Sequence, residues 1–251
     1  MAGKPLTIDA AGVYYRELNE RIRAAVAEGV TNFTLTGIKG QRYIATGLAG
    51  DLSFTIHGTP GQDMGAFMRG PRIRVEGNAQ DGLGNTMDDG YVVVNGLAGD
   101  VLGYGMRGGH IIVRNDVGYR VGIHMKAYME KQPVIVIGGK AGDFLGEYMA
   151  GGAIILLGMF SDKTYAPVCG RSLGTGMHGG VIYVRGEVPE EQLRPKLKCV
   201  PCEEADMEII KCNVAAFARE FDVGVEPILA ERFHKVSPFS HRPYGNMYCP
   251  C

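Results

Sequence analysis

The cysteines are the residues of this chain whose spacing best matches a chemical site. Two close pairs, Cys199-Val-Pro-Cys202 and Cys249-Pro-Cys251, stand late in the sequence. Four thiolates spaced in this way can hold a tetrahedral zinc ion or an iron–sulfur cluster. The second pair is C-x-C rather than C-x-x-C, so the alternative is that all four are ordinary reduced thiols. Candidate metal ligands are therefore Cys199, Cys202, Cys249 and Cys251.

Three glycine motifs spell signatures of catalytic or nucleotide-binding loops. Residues 103–108 and 174–179 both read G-x-G-x-x-G, and residues 170–174 read G-x-S-x-G around Ser172. A dinucleotide-binding loop needs a helix after it, and a nucleophile elbow needs a strand-to-helix turn with His and acidic partners. Here an apolar, strand-like run follows instead, and each motif keeps the register of an internal repeat. We therefore interpret them as turns and predict neither catalytic nor cofactor-binding residues.

The glycines belong to that internal repeat. Of 38 glycines, 33 lie between Gly37 and Gly186. A unit G-x-x-x-G-x-x-M, followed by two apolar residues one apart and then Gly or Asn, recurs six times, with Gln80 in place of the first glycine of the second copy, and its first four copies follow at intervals of 19 residues. Its methionines, which we expect to form an internal ladder, are Met68, Met87, Met106, Met125, Met149 and Met177. A fixed short period of this kind indicates a solenoid.

Each repeat also carries a short alternating strand, such as Arg72–Glu76. Alternation places one apolar pair on one face and polar residues on the other; in the fourth unit we assign Val134 and Val136 as the apolar pair. A period near 19 is too short for a βαβ crossover or a propeller blade. The sequence therefore predicts an all-β body, a right-handed single-stranded parallel β-helix of about seven coils, with flanking α-helices.

Amphipathic helices are expected on both sides of this body. Ala10–Glu28 should form one with Asp9 as its N-cap, and Glu203–Phe221 should form the other. We expect them to cover the open ends of the rod, with Cys212 pointing away from the apolar stripe of the second helix. The expected division is 1–36 as an N-terminal helical cap, 37–186 as the β-helix, and 187–251 as a C-terminal helical segment with an extended tail.

Charge and hydropathy narrow the class of protein. The chain has 26 Lys+Arg against 27 Asp+Glu, for a formal net charge of -1, which argues against nucleic-acid or polybasic membrane binding. The longest apolar runs, such as Ala153–Leu157, are far below the ~18 residues of a membrane span, and the first residues lack the apolar core of a signal peptide. We therefore expect a cytoplasmic protein that acts through a surface. The residues expected to contact partners are Phe160, Tyr165, Tyr128, Met129, Phe239, Tyr244 and Tyr248.

The repeat resembles a known domain. The strings GTPGQDMGAFM (58–68), GNAQDGLG (77–84) and GDFLGEYMAGG (142–152) are similar to the GXGXG domain that closes the large subunit of glutamate synthase. The segments YRELNE (15–20) and SHRPYG (240–245) are similar to its stand-alone version, in which glutaminase, FMN-dependent synthase and GXGXG parts are separate polypeptides. A subunit of formylmethanofuran dehydrogenase and one of N-methylglutamate synthase share the repeat.

The resemblance implies a non-catalytic scaffold for glutamate biosynthesis. Its partners would be a glutaminase (amidotransferase) subunit and an FMN/iron–sulfur synthase subunit, with FMN and iron–sulfur clusters in the partners and no cofactor in this chain. A glutaminase of that family uses an N-terminal Cys, whereas no Cys precedes Cys169 here. The alternatives are a scaffold in one of the two related complexes or an independent β-helix enzyme, which would need acids or histidines aligned on successive coils. Self-association of the isolated chain is left open.

Overall fold

One continuous sheet of eleven strands forms the body of the protein. The structure is a computed structural model that describes residues 5–163, 166–194 and 196–239. The strands are β1 Leu6–Asp9, β2 Asn32–Lys39, β3 Ser53–Thr59, β4 Arg69–Glu76, β5 Asp89–Val94, β6 His110–Val113, β7 Val134–Ile137, β8 Ala150–Leu156, β9 Gly179–Arg185, β10 Leu197–Pro201 and β11 Phe233–Pro238. The helices are α1 Tyr15–Ala27, α2 Glu204–Phe221 and α3 Glu226–Leu229, with a 3₁₀ turn at Glu190–Gln192.

The first nine strands stack in parallel, each beside the next in chain order. Ile73 of β4 pairs with Val92 of β5, which pairs with Ile111 of β6, so the 19-residue period of the sequence is the distance along the chain from one strand to the next. Such a ladder, with a turn in place of a crossover helix, is a parallel β-solenoid. The predicted β-helix is confirmed, and the stacking from β2 to β9 is compatible with the expected number of coils.

The interior of the solenoid is apolar along its whole length. The six repeat methionines are buried and form part of one core with the inward residues of the strands, which confirms the predicted ladder. At the first coils the rings of Phe33 and Phe54 stack with centroids 4.8 Å apart. Because thioethers and branched aliphatic side chains fill space without polar atoms, the narrow interior needs no buried hydrogen bonds from side chains.

The register of β7 corrects one assignment. Ile111 pairs with Ile135 and Val113 pairs with Ile137, so these isoleucines, and not Val134 and Val136, face the interior. All four residues of β7 are buried. Alternation cannot reveal which pair points inward when both faces are covered, and a slip of one residue exchanges the two faces.

The outer face of the later strands is covered by α2, which corrects the prediction that this helix closes an end of the rod. Phe217 and Val214 of α2 belong to a second buried cluster with Ile112 of β6 and Val136 of β7. Glu220 accepts hydrogen bonds from Arg72 and from Tyr91, which ties the end of the helix to β4 and β5. The helix therefore lies along the sheet, over outward side chains that are apolar rather than polar.

The N-terminal helix is shorter than predicted. Residues 6–9 form strand β1, which pairs with β2, and α1 begins at Tyr15, so Asp9 is not its N-cap. The Asp9 carboxylate instead accepts a hydrogen bond from the backbone N–H of Ala11. Leu18 and Ile22 of α1 join the solenoid core beside the first coils, as the apolar spacing indicated. Residues 1–36 thus already include solenoid strands.

After β9 the ladder changes direction. β11 pairs antiparallel with β9, and β10 pairs antiparallel with β11, so β10 is the edge strand at this end of the sheet. The side chain of Leu197 lies beside Gly174, which places the start of β10 against the last turn of the solenoid. Within the described ranges no helix is both long and apolar enough to cross a membrane.

Candidate interaction surface

Strand β10 places the first cysteine pair on two different sides. Cys199, within β10, packs against the solenoid core, whereas Cys202, just after the strand, packs against the cluster under α2. Among the described residues, no three His, Cys, Asp or Glu side chains are placed to share a metal ion. Cys249 and Cys251 lie outside the described residues. The four-cysteine metal site therefore stays a prediction.

The described thiols near β10 are held in their neutral form. Burial, followed by the negative charge of Asp206, raises the pKa of Cys202 to about 11. Burial, followed by the charge of Glu187, also raises the pKa of Cys199. Cys169, deeper in the core, has its pKa raised by burial to about 12, and its thiol contacts the side-chain oxygen of Gln192 at 3.1 Å. Thiols of this kind react slowly at neutral pH.

Ser172 is not a nucleophile on an elbow. It is buried in the last turn of the solenoid, and its hydroxyl accepts a hydrogen bond from Arg194 at 2.7 Å. The motif is followed by strand β9, without the helix that an elbow requires. The interpretation of this motif as a turn is confirmed.

The turns of the solenoid share one unusual backbone conformation. In each turn the first, third and fifth of five consecutive residues have φ between 51° and 70°, in the left-handed region. The seven turns are residues 43–47, 63–67, 82–86, 101–105, 120–124, 144–148 and 172–176. The N–H of the third residue reaches back to the preceding coil, as from Gly146 to Val121, whereas that of the fifth reaches forward, as from Tyr148 to Thr175. The alternating conformation thus carries the hydrogen-bond ladder around the turn.

The third residue of the turn faces the interior. A Cβ atom at Gly146 would lie 2.6 Å from Cδ1 of Ile182, and one at Gly103 would lie 2.6 Å from Cδ1 of Ile135. Glycine is required here for two reasons, since the position has both a positive φ and no free space. It is glycine in six of the seven turns, and Ala45 of the first turn is the exception.

The first and fifth residues face outward, and several carry aromatic rings despite the positive φ. These side chains are Tyr43, Phe67, His124, Phe144 and Tyr148. Phe67 is 59% exposed and Tyr148 is 44% exposed. A side chain in the left-handed region costs about 1–2 kcal/mol, which glycine would avoid. When a strained conformation is occupied by a side chain that the fold does not require, the side chain is a candidate for a functional role.

Contacts between rings join the outward residues of successive coils. The His124 and Tyr148 rings stack at 5.2 Å with 14° between their planes, and Tyr104 meets His124 edge-on at 5.8 Å. Arg120 lies 5.0 Å from the ring of Phe144 and donates a hydrogen bond to the buried Glu147 at 2.9 Å. These contacts hold an aromatic row in fixed positions across three coils.

A row of basic residues runs beside the aromatic row. Two positions after the fifth turn residue, on the other side of the buried methionine, stand Arg69, Asp88, Arg107 and Lys126 on four successive coils. All but Asp88 are exposed, and Asp88 is ion-paired with Lys131 at 2.8 Å. We call the surface made by residues 63–69, 82–88, 101–107, 120–126, 144–150 and 172–178 the turn face.

Comparison with known proteins agrees with this architecture. A family profile described as GXGXG motif matches residues 18–240. The chain belongs to the GXGXG motif family. In the GXGXG turn, the two outer glycines of the motif correspond to the outward left-handed positions and the middle glycine to the inward one. The chain is also 47% identical, over 98% of its length and 97% of the relative's, to the uncharacterized protein MJ1350 of Methanocaldococcus jannaschii.

Some of the residues predicted to contact partners are exposed in the structure, and others are not. Met129 is 82% exposed, and with Tyr128 it lies in a tight turn that ends at Lys131, after the GXGXG turn of residues 120–124. Phe239, at the end of the described chain, is 70% exposed. Phe160 instead is partly buried against the cluster under α2, with its ring centroid 5.5 Å from that of Phe217. Tyr165, Tyr244 and Tyr248 lie outside the described residues.

Sequence reasoning missed Phe67, Tyr148 and the basic row. The signal was available, because aligning the GXGXG units places these residues at the same two positions of successive coils. Sequence patterns point first to insertions and tails as partner contacts, whereas a turn is expected to hold whatever residue the backbone tolerates. Only the φ values show that the aromatic residues occupy positions where glycine would be less strained.

Proposed function

We propose that this chain is the non-catalytic GXGXG subunit of a split glutamate synthase. It would hold the glutaminase subunit and the FMN-dependent, iron–sulfur synthase subunit together in the cytoplasm, so that ammonia released by the first can pass to the second. FMN and the iron–sulfur cluster would belong to the synthase subunit. Membership in the GXGXG motif family supports this proposal at the level of the family.

The observation that carries the proposal is the combination of strain and exposure on the turn face. Phe67 and Tyr148 have φ of 57° and 52°, and each exposes a large part of its ring. A side chain that serves only the fold would be buried, or it would be glycine at such a position, as at Gly105 and Gly176. Exposed aromatic side chains on a rigid surface are characteristic of protein interfaces.

Co-expression tests the proposal directly. The tagged chain should recover the glutaminase and FMN-dependent synthase polypeptides of the same organism together, and glutamate formation should require all three. Purified alone, the chain should neither hydrolyse glutamine nor bind FMN stoichiometrically. A chain that migrates alone at micromolar concentration with both partners present would contradict the scaffold function.

The cysteine site is settled by a separate measurement. Zinc and iron in the purified full chain should be compared with those in the Cys199→Ser and Cys249→Ser double variant. About one zinc or one cluster per chain, lost in the variant, would establish a structural metal site, since such metals bind stoichiometrically. Metal-free wild-type protein would establish that the four cysteines are ordinary thiols.

A further inference from the structure

We propose that the turn face binds an acidic surface of a protein partner, with the aromatic row providing apolar contact and the basic row selecting the charge. The inference rests on the proposed scaffold function and adds to it the position and the chemistry of the docking surface. Aromatic and arginine side chains are the residues that most often dominate the energy of a protein interface.

The two rows lie side by side because of the solenoid period. In each coil the fifth turn residue and the basic position point outward, and the methionine between them points into the core. Strands in a sheet are about 4.8 Å apart, so Arg107 and Lys126 are neighbours and Arg69 is two coils away. The aromatic row joins the coils of Tyr104, His124 and Tyr148, and Phe67 stands on the same coil as Arg69. A flat partner surface could contact both rows at once.

The charge of the turn face is not neutralised within the chain. Arg69, Arg107 and Lys126 have no ion-pair partner among the described residues. By contrast, Arg72 and Arg74, on the outer face of β4, are both paired with Glu220. Unpaired cations in a row, on a protein whose formal net charge is -1, indicate a surface that is complementary to acidic groups.

The acidic residues of the turn face are occupied internally. Asp63 accepts a hydrogen bond from Asn85, Asp88 pairs with Lys131, and Glu147 pairs with Arg120. Two of the three carboxylates are neutralised by ion pairs and the half-buried Asp63 is hydrogen-bonded, so among the described residues the exposed charges without an ion pair on this face, Arg69, Arg107 and Lys126, are positive.

The ring of Tyr148 is a poor platform for nucleic-acid bases and the chain has a formal net charge of -1, which is why a protein partner is favoured. One face of Tyr148 stacks on His124, and the ring also lies over Gly176, where an added Cβ would be 2.4 Å from it. Bases bind single-strand proteins by stacking on free ring faces beside a strongly basic groove. Here His124 and Gly176 lie against the Tyr148 ring, and the sequence pI is about 6.6.

Charge reversal is the first test. Arg107→Glu with Lys126→Glu should weaken binding to the glutaminase and synthase polypeptides by about tenfold or more, and the wild-type affinity should fall as salt is raised. The matched control is Lys198→Glu with Lys211→Glu, two exposed lysines of β10 and α2, which should bind like the wild type. Circular dichroism and thermal melting would verify that both variants fold, as exposed positions predict.

Replacing Phe67 by glycine separates a binding role from a structural role. Phe67→Gly removes an exposed ring and relieves the positive φ, so the isolated chain should be at least as stable as the wild type. Its affinity for the partner should nevertheless fall by about tenfold, in the range of an interface hot spot. A residue that serves only the fold would give the opposite result, with lower stability and unchanged binding.

The outcomes distinguish the two levels of the proposal. Weakened binding in the charge-reversed and Phe67→Gly variants, with normal binding in the control, supports the docking surface. If all variants bind like the wild type, the docking surface is wrong and the scaffold function stands. If even the wild type binds neither polypeptide, both fail. Binding of fluorescent oligo(U) by the wild type, lost on charge reversal, would overturn the protein partner in favour of single-stranded nucleic acid.

Discussion

Two glycines of the GXGXG turns, Gly47 at the fifth position of the first turn and Gly146 at the third position of the sixth, allow the two reasons for glycine to be measured separately. Gly47 and Gly146 both have positive φ, 65° and 69°. No atom lies within 4 Å of a Cβ built at Gly47, whereas one built at Gly146 lies 2.6 Å from Cδ1 of Ile182 and 3.5 Å from its Cγ1. Gly47→Ala therefore tests conformation alone, and Gly146→Ala tests conformation and crowding together.

The expected magnitudes follow from this geometry. Gly47→Ala should lower the free energy of unfolding by about 1–2 kcal/mol, the cost of a Cβ in the left-handed region. At Gly146 the crowding adds about 1–3 kcal/mol for an overpacked core, for a total of roughly 2–5 kcal/mol. The loss of unfolding free energy should be larger for Gly146→Val than for Gly146→Ala, because a β-branched side chain also restricts χ1 and brings more atoms toward Ile182.

A double variant isolates the crowding. Ile182→Val removes the atom that a Cβ at Gly146 would meet, at a cost of about 0.5–1.5 kcal/mol on its own. Combined with Gly146→Ala it should cost less than the sum of the two single variants, because the clash is gone. Equilibrium unfolding in urea gives the free energy of unfolding of the wild type, the two single variants and the double variant. Additive free energies, or equal losses at Gly47 and Gly146, would refute the inward position of the middle glycine.

Three further outcomes are expected from other parts of the molecule. Phe217→Ala should lower the free energy of unfolding by about 3–5 kcal/mol because it empties the cluster under α2, whereas the exposed Ile209→Ala should change it little in the same thermal melts. In native labelling with a thiol reagent, Cys212→Ser should remove a fast-reacting thiol and Cys169→Ser should not, since Cys212 is exposed and Cys169 is buried; equal rates would contradict this placement. Burial would raise the pKa of Asp206, but hydrogen bonds from Lys235, Glu203 and Tyr183 outweigh it and lower the pKa. Its contribution to stability is therefore present above the unfolded value of about 4 and is lost as pH falls through the lower folded value, so Asp206→Asn should make stability less dependent on pH in acid.

The sequence by itself determined the period and the contents of the solenoid. From Met68 to Met125 the same Gly and Met positions return every 19 residues, and this spacing alone indicates coils that stack with like residues over like residues. The second helix was also evident, since its apolar steps predicted Glu203–Phe221 and the structure has Glu204–Phe221 with Glu203 as N-cap. Both signals are local, because a repeat and an amphipathic stripe can each be recognised from the order of neighbouring residues in the sequence.

The tertiary structure decided what depends on residues distant in sequence. Whether Val134 or Ile135 faces inward depends on α2, which buries the outer face and removes the alternation that would have identified the inner one. The left-handed conformation of Phe67 is likewise invisible in the residue type, since the stacking of neighbouring coils imposes it through hydrogen bonds above and below. Local sequence patterns thus specify that a coil forms. Which of its faces are covered and which conformation its turns adopt depend on contacts with other coils and with α2.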